Sequence, residues 1–457
     1  MRLAGCAAAD TAVDLAHTLV MLDPPGSSAF DEQLTVLARE ELARGLHSRL
    51  GEHAPGGVRE ASAWKTRTMG AAATGGARVA ELRKARGITQ VALARRAGIS
   101  VSLLSKIEIG DRALTPGIAA AIARALQISL GALYGEAEVA KDQGVLLEAL
   151  RTAVRRYDIP DQASMPDPAQ LRIDLDHART LREQTDLAGL LRMLPDLLTR
   201  ATTYAHAAGS SEGWALLADV YSVVYWLAAR HRWMDLVEIA PTRQAWAAGQ
   251  QPNPLLIAVG VQDRAGTFLN CGDFEGGLTV VDRAIVAAEA ALSGPEKAFA
   301  TGLLHLRGMT LAGRLKDRTE AQRHIHAAWT AAAEFSDSLR IHYQLFNAAN
   351  IATHVLATEG DLGHPREVIR LAEDLTSHDT GLPPARIGAV HISTARAQLD
   401  LGDRDGAQAS LVQAWDVSPQ ATKVHPMARE VLRVLISLHR RSNPQLVKLA
   451  KQAGLTT

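Results

Sequence analysis

The sequence predicts an all-α protein made of two different helical parts. Apolar residues make up 47% of the 457 residues but aromatic residues only 4%, and Ala and Leu dominate, which is a composition poor in strand formers. Short apolar patterns with regular breakers fill residues 77–135, and turn-forming pairs recur at intervals near 40 residues from 139 to 457. We therefore expect a compact helical domain followed by an array of helical hairpins.

Overall composition excludes several classes of protein. Lys+Arg and Asp+Glu are both 49, so the chain as a whole has no charge that would attract nucleic acid or a membrane surface. The two cysteines, Cys6 and Cys271, exclude a disulfide framework and a cysteine-based zinc site. Because no window offers about 18 uninterrupted apolar residues, we expect no membrane span and a cytoplasmic protein.

Residues 1–70 form an N-terminal extension that is only partly helical in pattern. One amphipathic helix is predicted at residues 30–49, between turn-rich stretches. Two interpretations stay open: a small appended helical element, or an upstream extension in which Met69 is the true start. We assign no function to this region.

Residues 77–135 have the spacing of five short helices. The predicted breaks lie at Gly87, Gly98, Gly110, Pro116 and residues 128–129. Thr89 and Ser100 are placed to cap the second and third helices, because their hydroxyls can accept hydrogen bonds from free first-turn N–H groups. Gly98 permits the left-handed turn between these two helices. This arrangement predicts a helix-turn-helix.

The same residues are basic although the chain is neutral. Nine basic side chains stand against three acidic ones, which gives this segment a net charge of +6. A local excess of this kind is expected of a surface that binds phosphates.

Residues 78–133 closely resemble the Cro/phage-repressor (XRE) family, whose fold is the five-helix, lambda-repressor-like helix-turn-helix domain. The matching positions are Thr89, Gln90, Leu93, Ala94, Gly98, Ser100, Ser105, Ile107, Glu108 and Gly110. The resemblance implies that double-stranded DNA is a partner and that the second helix of the motif enters the major groove. It also implies that Gln90 contacts phosphate and that Val101, Ser102 and Lys106 meet base edges.

The candidate DNA-binding residues are Gln90, Ser100, Val101, Ser102, Ser105, Lys106 and Arg112. Two positions depart from the family pattern. Val101 replaces a residue that is often polar, which favours apolar contact with a thymine methyl. Ile109 replaces the common Asn or Arg before Gly110, which puts one backbone contact in doubt.

Turn pairs recur through residues 139–457. They are His231-Arg232, Gly272-Asp273, Lys316-Asp317, Gly360-Asp361, Gly402-Asp403 and Asn443-Pro444, with first residues 41, 44, 44, 42 and 41 apart, and Thr185-Asp186 is an earlier candidate. Two helices per period are typical of an α-solenoid, in which each hairpin buries its apolar face against its neighbours.

One unit, residues 388–419, resembles a tetratricopeptide repeat (TPR). Its matching residues are Ala395, Gly402, Asp403, Ala407, Ala414 and Pro419. The period is longer than the usual 34 residues of that repeat, so we expect a degenerate, TPR-like solenoid.

The concave groove of such a solenoid is a candidate site for a peptide or small-molecule effector. The residues expected on its inner face are Tyr221, Tyr225, Gln262, His305, Asn347, Asn350, His354 and Arg396. Asn347 and Asn350 are expected to share a helix face, where their amides can hold a peptide backbone. The alternatives are that these side chains satisfy neighbouring helices, or that the solenoid serves only for dimerisation.

This order of domains is similar to that of the peptide-pheromone receptors of Gram-positive bacteria. The resemblance implies a homodimer and a signal that alters the spacing of two DNA-binding units. No catalytic motif or cofactor fingerprint is recognisable, and His324 and His326 point to different helix faces, which does not favour a metal site. We therefore expect a transcription regulator and no enzyme. The alternative is a repeat-based interaction scaffold or adaptor that uses its helix-turn-helix for protein contact.

Overall fold

The computed structural model describes residues 75–134, 141–161, 164–334, 339–377, 379–438 and 443–455. The helix predicted at residues 30–49 and the question of Met69 lie outside them. The described residues form 21 helices and one two-stranded β-hairpin. The predicted all-α class, with a helix-turn-helix followed by helical repeats, is confirmed.

The first five helices form the helix-turn-helix domain. They are α1 (Gly75–Ala85), α2 (Gln90–Arg96), α3 (Val101–Ile109), α4 (Pro116–Leu126) and α5 (Leu130–Tyr134). Their apolar faces meet in one core, in which Leu93, Leu104 and Ile122 are fully buried.

The predicted caps are present in this domain. The Thr89 hydroxyl accepts from the Ala92 amide at 3.2 Å, and the Ser100 hydroxyl accepts from the Leu103 amide at 3.1 Å. Gly110 ends α3 with φ +87°, a conformation that other residues adopt only with strain. Local backbone requirements therefore fix where α2 and α3 begin and where α3 ends.

The helices that follow stack as antiparallel hairpins. They are α6 (Lys141–Arg155), α7 (Pro168–Gln184), α8 (Leu187–Ala208), α9 (Ser211–His231), α10 (Met234–Ala248), α11 (Pro254–Cys271), α12 (Phe274–Ala291), α13 (Gly294–Leu315), α14 (Arg318–Ala332), α15 (Ala348–Leu362), α16 (Pro365–Thr376), α17 (Pro384–Asp400), α18 (Arg404–Val417), α19 (Pro419–Val424), α20 (Pro426–Leu438) and α21 (Pro444–Gln452). From α7 to α17 the odd-numbered helices form the inner row, each packed on the next.

Most predicted turns have a common construction. A residue with positive φ ends the inner helix at Thr185, Arg232, Gly272, Lys316 and Gly402. In four of these five turns the next residue is an aspartate whose carboxylate caps the outer helix, as Asp403 does for the Gly406 amide at 2.9 Å. The positive φ and the cap together reverse the chain within two residues.

One of the predicted turns, at Gly360-Asp361, is wrong. Helix α15 continues through Gly360 and Asp361, and the left-handed residue is Gly363, with φ +93°. The buried Asp361 carboxylate binds Arg314 and Arg396 at 3.1 and 2.9 Å, so it belongs to the inner face of the helix and not to a turn. The pair Asn443-Pro444 does lie between two helices, after α20 and at the start of α21, where Asn443 accepts from the Gln445 amide at 3.0 Å.

A β-hairpin between α14 and α15 is an element that the sequence analysis did not predict. Strands β1 (Leu339–Ile341) and β2 (Gln344–Phe346) are antiparallel. Their connecting residues His342 and Tyr343 both have positive φ. The hairpin reaches the inner row, where Arg340 pairs with Glu183 at 2.8 Å and His342 contacts Asp219 at 3.1 Å. It therefore covers part of the groove beside α7 and α9.

The helix-turn-helix domain packs directly on the repeats, within one compact unit. Ala120 of α4 belongs to the same buried cluster as Leu304 of α13, and Ala113 joins the C-terminal cluster. The Gly75 amide donates to the Glu430 carboxylate at 3.1 Å. Among the described residues we find no helix that combines the length and the hydrophobicity of a membrane span.

Candidate nucleic-acid interface

The outward face of α3 is free to contact a ligand. Val101 is 40% exposed, and Ser102 and Lys106 are exposed as well. Ser105, one turn along the same helix, is half-buried, and Ser100 is exposed at the cap. Because these side chains follow one another along one face of a helix, they can reach adjacent base edges in a major groove.

Gln90 is held in place by a buried ion pair. Its side-chain Nε2 donates to the Glu108 carboxylate at 2.8 Å, and the same carboxylate accepts two hydrogen bonds from Arg83 at 2.7 and 2.8 Å. Arg83 also donates to the Ile88 carbonyl at 2.9 Å. A glutamine amide has two N–H donors, so one remains available for a phosphate oxygen. We name this group of Arg83, Gln90 and Glu108 the Arg83 clamp.

The Arg83 clamp also determines the ionisation of Glu108. Burial alone would raise the pKa of this carboxyl, but hydrogen bonds from Arg83 and Gln90 lower it below its usual value. The carboxylate is therefore charged at neutral pH and ties the end of α1, the start of α2 and the end of α3 together. The carboxylate thereby holds the exposed face of α3 in one orientation relative to α1 and α2.

Basic side chains are exposed on both helices of the motif. Arg95 and Arg96 are exposed in the last turn of α2, and Lys106 is exposed on α3. Neither α2 nor α3 carries an acidic residue in its own first turn, where the helix amides are free. Both features favour phosphate binding.

Arg112 differs from the other candidates because it contacts the repeats. Its guanidinium lies 3.3 Å from the Asp400 carboxylate at the end of α17, with both side chains partly exposed. An exposed ion pair of this kind is weak, so Arg112 can exchange Asp400 for a phosphate at little cost.

A family model described as "Helix-turn-helix" matches residues 79–133. The segment is an XRE-like helix-turn-helix. The match spans α2 and α3 in full, together with the turn between them, and it carries the exposed residues of the α3 face. No curated protein and no solved structure matches the chain.

The structure places the candidate groove residues in different surroundings. Tyr221, Tyr225 and Gln262 are buried in the inner row. His354 and Arg396 instead line a cavity of about 370 Å³ between the helix-turn-helix and the repeats. Tyr221, Tyr225 and Gln262 are therefore not exposed on the wall of an open groove.

Asn347 and Asn350 have partners within the chain. Asn347 precedes α15 as its cap and accepts from the Asn350 amide at 2.8 Å, and Asn350 is buried and donates to the Leu345 carbonyl at 2.8 Å. The expected shared helix face is therefore absent, because the β-hairpin extends to Phe346 and α15 begins only at Ala348. A peptide would have to displace these bonds to use both amides.

His305 faces His324, with 2.8 Å between their Nδ1 atoms. Burial, and then the neighbouring His324, lowers the pKa of His305 to about 3. His324 also lies with Asp282 and Glu320 in a group of possible metal ligands. Arg323 already pairs with both carboxylates of this group, 2.7 Å from Asp282, so a guanidinium occupies the place of a cation.

Sequence reasoning missed the arginines that line the cavity beside His354 and Arg396. They are Arg230, Arg232, Arg307, Arg314 and Arg386. Most of them lie within about one helical turn of the end of an inner helix. Arginines that recur beside the predicted turns were therefore the sequence signal that could have identified them.

Proposed function

We propose that the protein is a sequence-specific DNA-binding transcription regulator whose helical repeats dimerise, sense a peptide or small-molecule signal, or do both. The observation that carries the proposal is the exposed face of α3, with Val101, Ser102 and Lys106, on an XRE-like helix-turn-helix. A basic surface supplies affinity for the DNA backbone, and base-edge contacts supply specificity.

A homodimer suits this function on physical grounds. One recognition helix contacts only a few base pairs, whereas two that are about 34 Å apart contact successive major grooves on one side of the duplex. The preferred operator is thus an inverted repeat. The setting we propose for this activity is the cytoplasm.

The test is selection of bound sites from random duplex DNA by the full-length protein. We expect an enriched inverted repeat, and we expect Ser102→Ala and Lys106→Ala to reduce enrichment at defined positions because each removes a base contact. Lys297→Ala is the matched control, since it removes an exposed positive charge on α13, outside the helix-turn-helix. Absence of enrichment at low salt would contradict the proposal.

A second function, a protein-interaction scaffold, has one observation in its favour. The helix-turn-helix already makes protein contacts through Ala120 and the Arg112–Asp400 pair. If the scaffold is correct, a protein partner binds the repeats and random duplex DNA yields no preferred site.

A further inference from the structure

The cavity between the helix-turn-helix and the repeats has a strongly positive lining. Six arginines line it: Arg230, Arg232, Arg307, Arg314, Arg386 and Arg396. Of the described residues in its wall, Asp361 is the one acidic residue, and it is already bound to Arg314 and Arg396. We name this space the arginine cavity.

Four of these arginines have no carboxylate partner among the described residues: Arg230, Arg232, Arg307 and Arg386. Arg230 stacks on the Trp226 ring at 4.7 Å, and Arg307 donates to the Gln262 carbonyl at 3.1 Å. Arg386 forms no side-chain hydrogen bond or ion pair with any described residue. Like charges this close repel one another, and desolvated cations without an anion are costly.

Burial and mutual repulsion lower the pKa of two arginines of this cavity. Burial, followed by repulsion from Arg230, Arg182 and Arg307, lowers the pKa of Arg386 to about 9. Burial, followed by repulsion from Arg182, lowers the pKa of Arg230 to about 10. Both values lie above neutral pH, so the guanidiniums stay charged and the cavity holds uncompensated positive charge.

The size and position of the cavity fit a small molecule. Its volume of about 370 Å³ lies in the usual range of ligand sites, roughly 300–1,000 Å³. One wall belongs to the helix-turn-helix, through Pro116, Leu130 and Tyr134, and the Tyr134 ring lies 5.1 Å from the Arg232 guanidinium. A bound molecule would therefore contact both parts of the protein.

We propose that the arginine cavity binds a small molecule with two or more negative charges on phosphate or carboxylate groups. Guanidinium groups bind both kinds of anion through paired hydrogen bonds, and several of them together select for multiple charges. This inference rests on the proposed function, for which it supplies the class of effector. By neutralising the arginines, the anion stabilises the packed arrangement of α4 and α5 on the repeats and thereby changes the affinity for DNA.

The first test is calorimetric titration of the full-length protein with inorganic pyrophosphate and with citrate, against sodium chloride at matched ionic strength. We expect saturable binding of at least one of the two, and the stronger probe identifies the phosphate or the carboxylate class. Arg386→Gln should weaken that binding by about tenfold or more, because it removes a charged donor. Binding of neither probe beyond chloride would overturn the proposal.

The thermal stability of the protein without anion distinguishes a ligand-binding role of Arg386 from a structural role. If Arg386 serves a ligand, Arg386→Gln relieves repulsion and leaves the thermal midpoint unchanged or higher without anion. A lower midpoint with unaltered anion affinity would overturn the assignment. Arg264→Gln is the matched control, since Arg264 is exposed on α11, and Arg230→Gln is a second test of the cavity.

Duplex binding, measured separately, distinguishes this inference from the proposed function. Duplex binding without anion binding overturns the arginine cavity and leaves the regulator intact. Anion binding without duplex binding supports the cavity and contradicts the regulator. If both occur but pyrophosphate or citrate leaves the duplex affinity unchanged, the role as effector site is overturned.

Discussion

At the scale of single residues, His231 shows how burial controls protonation. The residue is 9% exposed, and its ring stacks on Trp233 with centroids 4.3 Å apart. Its Nδ1 has no hydrogen-bond partner among the described residues. Burial lowers the pKa of His231 to about 4. Between this value and the unfolded pKa of about 6.5, the unfolded chain binds a proton that the folded chain does not. The free energy of unfolding therefore falls as pH falls through this window.

We predict that His231→Phe reduces this sensitivity to acid. Phenylalanine keeps the ring stacking but cannot bind a proton, so the loss of unfolding free energy between pH 7.5 and pH 5 should shrink by about 2 kcal/mol. Urea unfolding at the two pH values measures it. The exposed His326, changed to Phe, is the control and should leave the pH dependence as it is in the wild type. An unchanged dependence in His231→Phe would show that this histidine is protonated in the folded state.

At the scale of secondary-structure elements, the Arg83 clamp connects α1, α2 and α3. The Arg83 and Glu108 side chains are 11% and 5% exposed, so removing one charge leaves the other buried without a partner of opposite charge. We predict that Glu108→Gln lowers the free energy of unfolding by about 3 kcal/mol. It should also weaken duplex binding, because Gln90 loses its fixed orientation.

The control for this prediction is an exposed pair. Glu148 bonds Arg155 at 3.1 Å and is 58% exposed, so Glu148→Gln should cost less than about 1 kcal/mol. Denaturant unfolding of both variants makes the comparison. Equal costs would mean that the Arg83 clamp does not hold the domain together.

The elements also show what the sequence could predict. The helix-turn-helix was predicted closely, because Thr89, Ser100 and Gly110 fix its boundaries through local caps and turns. The β-hairpin was missed because its turn uses His342 and Tyr343 at positive φ in place of the usual Asn or Gly. The turn predicted at Asp361 was misplaced because this carboxylate pairs with Arg314 and Arg396, which lie far from it in the sequence. No local sequence pattern reveals such pairs.

The candidate site residues divide in the same way: local sequence predicted some of them, and packing between repeats determined the others. The exposure of Val101, Ser102 and Lys106 was expected from helix periodicity. The arginine cavity, in contrast, depends on how inner helices from many repeats converge. An error of a few residues in the repeat frame is enough to assign the wrong residues to this cavity. Of its lining, only His354 and Arg396 were among the candidates predicted from the sequence.

At the scale of the whole molecule, a comparison of two glycines tests how tightly the helix-turn-helix domain packs on the repeats. Gly272 and Gly402 both end inner helices, with φ +80° and +86°. A Cβ on Gly272 would lie 3.0 Å from the Ala120 Cβ of α4, whereas a Cβ on Gly402 would meet nothing within 4 Å. An alanine would be strained at both sites, but only at Gly272 would its Cβ press against the helix-turn-helix domain.

We predict that Gly402→Ala costs about 1–2 kcal/mol of unfolding free energy from backbone strain alone. Gly272→Ala should cost about 1 kcal/mol more, because it also forces α4 away from the repeats. Denaturant unfolding of both variants gives the difference. Equal costs would show that Ala120 moves away freely and that the two parts are only loosely packed.

The central claim, that α3 contacts base edges in DNA, is tested most directly by titrating the selected duplex with the full-length protein over a series of salt concentrations. We predict that the logarithm of affinity falls linearly with the logarithm of salt concentration. We also predict that Ser102→Ala weakens binding to the selected duplex more than to a scrambled one. Equal affinity for both duplexes in the wild type, or no binding at low salt, would contradict the claim.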